Sequence, residues 1–461
     1  MNKMKFVEKV GYGFGDMASS MFWKVFSYYL PFFYSNIFGL RLDQVALLLM
    51  VTRIWDAVSD PMMGVLADRT SSRWGRYRPY LLWIAVPFAV CGVLLFTTPD
   101  WNPQAKLVYA YVSYMLMMTI YTAINVPYGA MLGVMTDDSS EKTAFSSYRM
   151  FFAYVGSFAV LFAWEPMVER FGSFLDVEGS WQAAMTVVAA VCVVLFVLTF
   201  AFTRERVRPA VSGSVLHDMK LLLRNAPFWI LVCAALCSNL FMTLRGSTVA
   251  YFFKDYIPSG SQLALGGFSV LFYAGLFLSV GEISNMAGVA CAAPLSVRIG
   301  KKNTFLYSML ALAVLSVAFF FIPVSGTGFV LMLLLQVVIS LFTGIISPLL
   351  WSMYADVADY SEYVSGTSST GLIFSSSSMA QKFGSAFGGA MVMWILAAFG
   401  YQTADGCVQT VAAMRGLNML MSIIPAGIAV TAMVLIKLYP LTPDRMKQID
   451  AVLTDRRSAS L

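Results

Sequence analysis

The residues best suited to chemistry are Arg53, Asp56 and Asp60, three and four positions apart inside an otherwise apolar run. On a helix this spacing puts them on one stripe, with both carboxylates facing the same way. A charge at membrane depth costs roughly 2.5 to 3.5 kcal/mol, so it needs a partner or a wet cavity. Pro61 has no amide hydrogen, which leaves the carbonyl of Ala57 free one turn below Asp60. Two carboxylates, that carbonyl and the Ser59 hydroxyl form an all-oxygen set suited to a small hard cation or a proton. A purely structural Arg–Asp cluster is the alternative.

Membrane helices must carry this set. Of the 461 residues 59% are hydrophobic and 12% charged, and the mean hydropathy is +0.71. That balance excludes an ordinary soluble protein and implies a polytopic membrane protein in a lipid bilayer. The apolar blocks read as twelve spans, at 10–38, 43–67, 79–98, 107–135, 145–171, 182–203, 227–253, 266–297, 303–322, 329–355, 371–400 and 414–439. Continuous runs without a two-residue period exclude a β-barrel. The net charge of +6 matters through its distribution and does not imply a nucleic-acid partner. Lysines and arginines gather at the start, after spans two, six and eight, and at the end, which places both termini in the cytoplasm and requires an even number of spans. The first apolar segment is too long for a cleaved signal and carries Asp16 and Lys24, so it stays as a span. Cys91, Cys192, Cys233, Cys237 and Cys291 fall within spans and Cys407 in an outer loop, with no disulfide framework.

The remaining intramembrane polar residues are few. Asp16 and Lys24, eight apart, share a face of span one; Lys24 either pairs inside the bundle or contacts substrate. Trp23 could stack on a sugar ring, although packing is the commoner use of such aromatics. Span four holds Tyr121, Thr122, Asn125 and Tyr128, then exits into an acidic loop with Asp138 that should meet a basic neighbour, Arg149 being the nearest candidate. Span ten ends in a second acidic loop with Asp356 and Asp359. In the C-terminal half Arg245, Glu282 and Lys382 are scattered, and the first two are candidates for local ion pairs. Gly384 and Gly388 form a small-residue ridge for close helix approach, placing Lys382 at an interface between halves.

The polar connection after span six divides the chain into an N-terminal six-helix bundle at 1–203, a linker at 204–226, a C-terminal bundle at 227–440 and a tail at 441–461, as a two-repeat transporter requires. Gly75-Arg76-Tyr77-Arg78 after span two is echoed by Gly300-Lys301-Lys302-Asn303 after span eight. At that offset Asn285 stands opposite Asp60 and Gly281 opposite Asp56, so the acid pair belongs to one half. The basic loop around Arg76 reads as an orientation and gating element.

These residues resemble the glycoside-pentoside-hexuronide:cation symporters (melibiose permease-like) of the major facilitator superfamily, over nearly the whole chain. The resemblance rests on Tyr12-Gly-Phe-Gly15-Asp16, Arg53-Ile-Trp-Asp56 with Asp60-Pro61, Arg73-Trp-Gly75, the loop from Asp356 to Tyr363, and Gln381-Lys382-Phe-Gly-Ser-Ala-Phe387. It implies an all-α fold of twelve transmembrane helices in two pseudo-symmetric six-helix bundles. It also implies a coupling cation held by Asp56 and Asp60 with Thr122, Lys382 between cation and sugar, and a matching role for Arg149. The acidic loops with Asp138, Asp356 and Asp359 match gate elements. Two departures concern substrate: Ser20 and Asn125 stand where carriers of this kind grip sugar with aspartates, and Gly129 replaces a tryptophan. Fewer carboxylates beside Lys24, Arg245 and Lys382 would admit an anionic sugar such as a hexuronide.

The expected function is symport of a sugar with sodium or a proton, across the cytoplasmic membrane, by alternating access. Asp16, Ser20, Lys24, Tyr121, Asn125, Tyr128, Arg149, Arg245 and Lys382 are the candidate sugar contacts. Thr122 and the freed carbonyl add neutral oxygens that favour sodium, whereas a proton needs only a carboxylate. No cofactor is expected, and no oligomer is required. A lysophospholipid-type symporter would need a greasy lateral cleft, which nothing in the sequence demands. A non-transporting sensor or a membrane enzyme is the other rival; the single histidine, His217, lies in the linker, and no metal-ligand cluster with a general base accompanies it.

Overall fold

The structure, a computed structural model, describes residues 6–136, 139–206, 225–258, 260–265, 268–365, 370–404 and 407–459. Helices dominate it, because in lipid a helix is one of the two ways to satisfy every backbone polar group. The first crossing is α1 (Phe6–Tyr28) continued by α2 (Leu30–Asn36), with Pro31 in the first turn of α2. The second is α3 (Leu42–Arg69); the third is split into α4 (Arg78–Trp83) and α5 (Ala85–Leu95). Helices α6 (Pro103–Met135), α7 (Ser139–Gly172) and α8 (Val177–Phe202) complete the first six. Then come α9 (Ala226–Tyr251), α10 (Ala274–Ile299), α11 (Lys301–Phe320), α12 (Gly326–Ser365) and α13 (Thr370–Ala398). The twelfth crossing is split into α14 (Val411–Met421) and α15 (Ile423–Lys437), and α16 (Pro443–Ala459) follows.

Among the described residues, eight of these crossings are long and apolar enough to span a membrane by length and composition alone. The other four complete the expected twelve. Three of those four carry charges away from their ends: Asp16 and Lys24 on α1, Asp56 and Asp60 on α3, Lys382 on α13.

One expected boundary is corrected. The eighth span was expected from residue 266, but the helix begins at Ala274, after a hairpin of β1 (Gln262–Leu265) and β2 (Phe268–Leu271) with Leu263 opposite Val270. Gly266 and Gly267 between two short apolar runs are a hairpin signal, and apolarity alone had merged the second run with the helix.

Contacts group the chain into two compact units. The first comprises Met1–Ala210 with Tyr273–Glu282 and Met393–Ala413; the second comprises Val211–Phe272, Ile283–Val392 and Met414–Leu461. The first turns of α10 thus group with the first six crossings. Gly275 explains the local fit: a Cβ there would collide with the Leu161 carbonyl of α7, so its absence lets the two backbones touch. The Tyr273 hydroxyl donates to the Phe162 carbonyl at 3.3 Å, and Ser279 Oγ to that of Phe158 at 3.5 Å.

The first unit's core includes clustered aromatics, Phe33 tilted against Phe96 at 5.0 Å and Trp164 edge-on to Trp181 at 5.7 Å. The second unit buries Leu231, Phe305, Leu312, Met353 and Tyr354 fully, and α16 contributes Ile449 and Leu453 to that core. The ridge of Gly384 and Gly388 seats on α9, against Leu236, Asn239 and Thr243. Gly288 on α10 and Gly344 on α12 face the carbonyls of Leu341 and Asn285, so these helices cross at backbone distance.

Candidate functional site

The acid pair lies on α3 and faces α6. Asp56 is 2% exposed and Thr122 2%, with Ser59 also buried and Asp60 half-buried. The Thr122 hydroxyl donates to Asp60 Oδ1 at 2.8 Å, and one turn away the Trp55 indole N–H donates to Thr119 Oγ1 at 2.7 Å. These two bonds hold α3 to α6 and present carboxylate and hydroxyl oxygens together. Ser59 turns inward along its own helix, its hydroxyl donating to the Asp56 carbonyl at 3.4 Å. The side chains of Arg53, Ala57 and Pro61, and all of Asp138, lie outside the described residues. The second unit repeats this arrangement without its charge: Thr343 Oγ1 on α12 donates to Asn285 Oδ1 on α10 at 2.7 Å.

A second polar stripe runs along α1 at four-residue spacing: Asp16, Ser20, Lys24 and Tyr28. Arg149 of α7 reaches Asp16 with Nε at 3.0 Å and a terminal nitrogen at 3.5 Å, while its guanidinium lies over the Tyr128 ring at 5.3 Å. Lys24 Nζ donates to Glu282 Oε1 of α10 at 2.5 Å and to the Tyr28 hydroxyl at 3.3 Å. Lys24 thus has an acidic partner inside the bundle. Removing one partner of a buried pair costs about 3 to 5 kcal/mol, so neither charge is held idly. Trp23 packs on Tyr121 with centroids 5.2 Å apart. Asn125 donates to the Tyr121 carbonyl at 3.2 Å.

Other candidates are placed elsewhere. Tyr128 is fully buried, stacked on Tyr12, and donates to the Tyr12 carbonyl at 2.6 Å. Arg245, in the second unit, donates to the Met421 carbonyl and, at 2.9 Å, to Gln336 Oε1, with its guanidinium 5.1 Å from the Phe319 ring. Pro425 explains this: it has no amide hydrogen for the carbonyl four residues earlier, Met421, and Arg245 supplies the missing donor. Both of these acceptors are neutral, where an ion pair was expected. Lys382 is half-buried on α13 in the second unit.

The loops beyond the helices are braced. Glu205, which the sequence reading passed over, accepts the backbone N–H groups of Arg76, Tyr77 and Arg78, each at 2.7 Å, at the start of α4. A carboxylate there satisfies orphan donors and the helix dipole together. Arg78 Nε donates to the Phe200 carbonyl at 2.8 Å. At the echoed position Lys301 pairs with Asp356 at 2.7 Å and Lys302 donates to the Tyr439 carbonyl at 2.6 Å. Asp356 and the half-buried Asp359 lie on α12 itself, which runs on as helix to Ser365 where an acidic loop was expected.

The partner of Lys24 was not readable from sequence. Glu282 stood out as a lone acid in an apolar span, but a partner 258 positions away leaves no spacing signal. That pair also alters the electrostatic expectation, since Lys24 and Arg149 each face an acid and leave no surplus positive charge on the stripe.

Comparison with known proteins accords with this arrangement. The model of the family described as MFS/sugar transport protein matches residues 11–443. The chain is 36% identical to the putative glycoside/cation symporter YagG of Escherichia coli, covering 100% of this chain and 97% of that one. It is 31% identical to the isoprimeverose transporter of Lactiplantibacillus pentosus, over 97% and 92%. It is 30% identical to a glucuronide carrier protein homolog of Escherichia coli, over 97% and 95%. Among solved structures, a bacterial homologue of the human drug peptide transporters PepT1 and PepT2 superposes with a TM-score of 0.69 at 13% identity, covering 96% of this chain and 99% of that one, a likeness of fold alone. This chain is thus a multi-pass membrane transporter, not an enzyme, and belongs to the MFS/sugar transport family, among the glycoside-pentoside-hexuronide:cation symporters.

Proposed function

We propose that the protein carries a sugar into the cell together with sodium or a proton, across the cytoplasmic membrane, by alternating access, with both termini cytoplasmic. The observation that carries this reading is the Thr122 hydroxyl on Asp60 beside the buried Asp56. Two carboxylates at one place repel, and a bound cation relieves that repulsion. The relieved site favours the sugar-bound state, and by linkage sugar raises cation affinity by the same factor. Asp16, Ser20, Lys24, Tyr121, Asn125 and Arg149 supply the sugar contacts, Tyr128 backs Arg149, and Lys382 links cation and sugar. Arg76, Asp356 and Asp359 serve as gating residues. The names of the relatives support a sugar as cargo and a cation as companion; no cofactor takes part.

Linkage gives the test. Sugar binding to the purified protein should tighten by roughly 5- to 150-fold when sodium is added or the pH is lowered. In Asp60→Asn, which removes the charge, that dependence should disappear while binding itself persists. Equal sugar affinity at all sodium concentrations and pH values in the unaltered protein would remove the coupling.

A further inference from the structure

We infer that the Lys24–Glu282 pair reads the hydroxyls of a neutral sugar, with Glu282 as the accepting carboxylate, an assignment that deepens the sugar-symport reading and rests on it. Glu282 is 4% exposed, and only one of its oxygens is used: Oε1 takes Lys24 Nζ, while Oε2 is buried without a hydrogen-bond partner. A buried carboxylate oxygen left bare is costly, so a donor belongs there. Lys24 has three N–H donors, two of which go to Glu282 and Tyr28. An unfilled acceptor and a spare donor therefore stand side by side, both within the first unit.

A vicinal diol fits that pair: one hydroxyl donates to Oε2 and its neighbour accepts from Nζ. Sugars present such diols; water offers one oxygen. The lysine's side chain is 18% exposed, which leaves an approach to the pair. Selectivity follows from charge. Asp16 is engaged by Arg149, and Ser20 and Asn125 are neutral, so Glu282, which faces this stripe from α10, is the acid with an oxygen left to give. Because it cancels Lys24, the stripe offers no net positive charge, and a uronide carboxylate would meet Glu282 as a like charge. The structure thus turns the sequence expectation of an anionic sugar toward a neutral one.

Concentration-dependent uptake into proteoliposomes tests this, using neutral glycosides and pentosides each matched with its uronide where one exists. The unaltered protein should prefer the neutral member of each pair. Glu282→Gln should raise its KM roughly 10- to 100-fold, as loss of a charged hydrogen-bond acceptor does, and narrow or reverse the preference over the uronide. Glu282→Asp should recover part of the affinity. KM does not depend on how much protein reaches the membrane, so a folding loss does not mimic the effect. An unchanged KM and unchanged preference in Glu282→Gln, or a uronide preference in the unaltered protein, would overturn the assignment alone. Absence of gradient-driven uptake of every sugar by the unaltered protein would overturn the symport reading and this assignment with it.

Discussion

Bonded to Asp60 at 2.8 Å, the Thr122 hydroxyl keeps lone pairs that a metal cation can use and a proton cannot. Thr122→Ala therefore separates the two coupling ions. If sodium is the partner, its affinity, read from sodium-stimulated sugar binding, should fall about tenfold, in line with loss of a hydrogen bond to a charged group. An unchanged sodium response would leave Thr122 outside the site. At this scale legibility depended on sequence distance. Asp56 and Asp60 were visible because four residues on one helix make a stripe. Glu282 was visible as an oddity but not as the partner of Lys24. The Arg245 bond to the Met421 carbonyl was not foreseen, although Pro425 held the clue that this carbonyl needed a donor.

Helices here meet through missing side chains as much as through present ones. Gly288 faces the Leu341 carbonyl and Gly344 that of Asn285, which brings α10 and α12 together around the Asn285–Thr343 bond. Gly288→Val should force the helices apart and lower stability by about 1 to 3 kcal/mol, the usual range for overpacking, read as a lower midpoint in thermal unfolding. Gly427→Ala on α15, where a Cβ meets nothing within 4 Å, should leave the midpoint unchanged or slightly higher. Equal losses in both would contradict the crossing. Span number and order were legible because a membrane fixes helix length near 20 residues. The hairpin before α10 was not, since the Phe268–Leu271 strand is as apolar as the helix it precedes. The small-residue ridge of α13 announced a close neighbour without naming α9.

Over the whole molecule, a repeated plan carries one chemistry on one side only. Thr122 on Asp60 and Thr343 on Asn285 are the same hydroxyl-to-oxygen bond, with a carboxylate in the first unit and an amide in the second. The offset between Gly75 and Gly300 already pointed to this, whereas the grouping of Tyr273–Glu282 with the first unit had no sequence signal, because it depends on how α10 packs on α7. On the proposed reading, coupling belongs to the first unit's acids. The most direct test is sugar accumulation in sealed vesicles with sodium and proton gradients imposed one at a time. One gradient should drive sugar above its external concentration, and Asp60→Asn should abolish that accumulation while still exchanging sugar across the membrane. Accumulation driven by neither gradient, or full accumulation in Asp60→Asn, would contradict it.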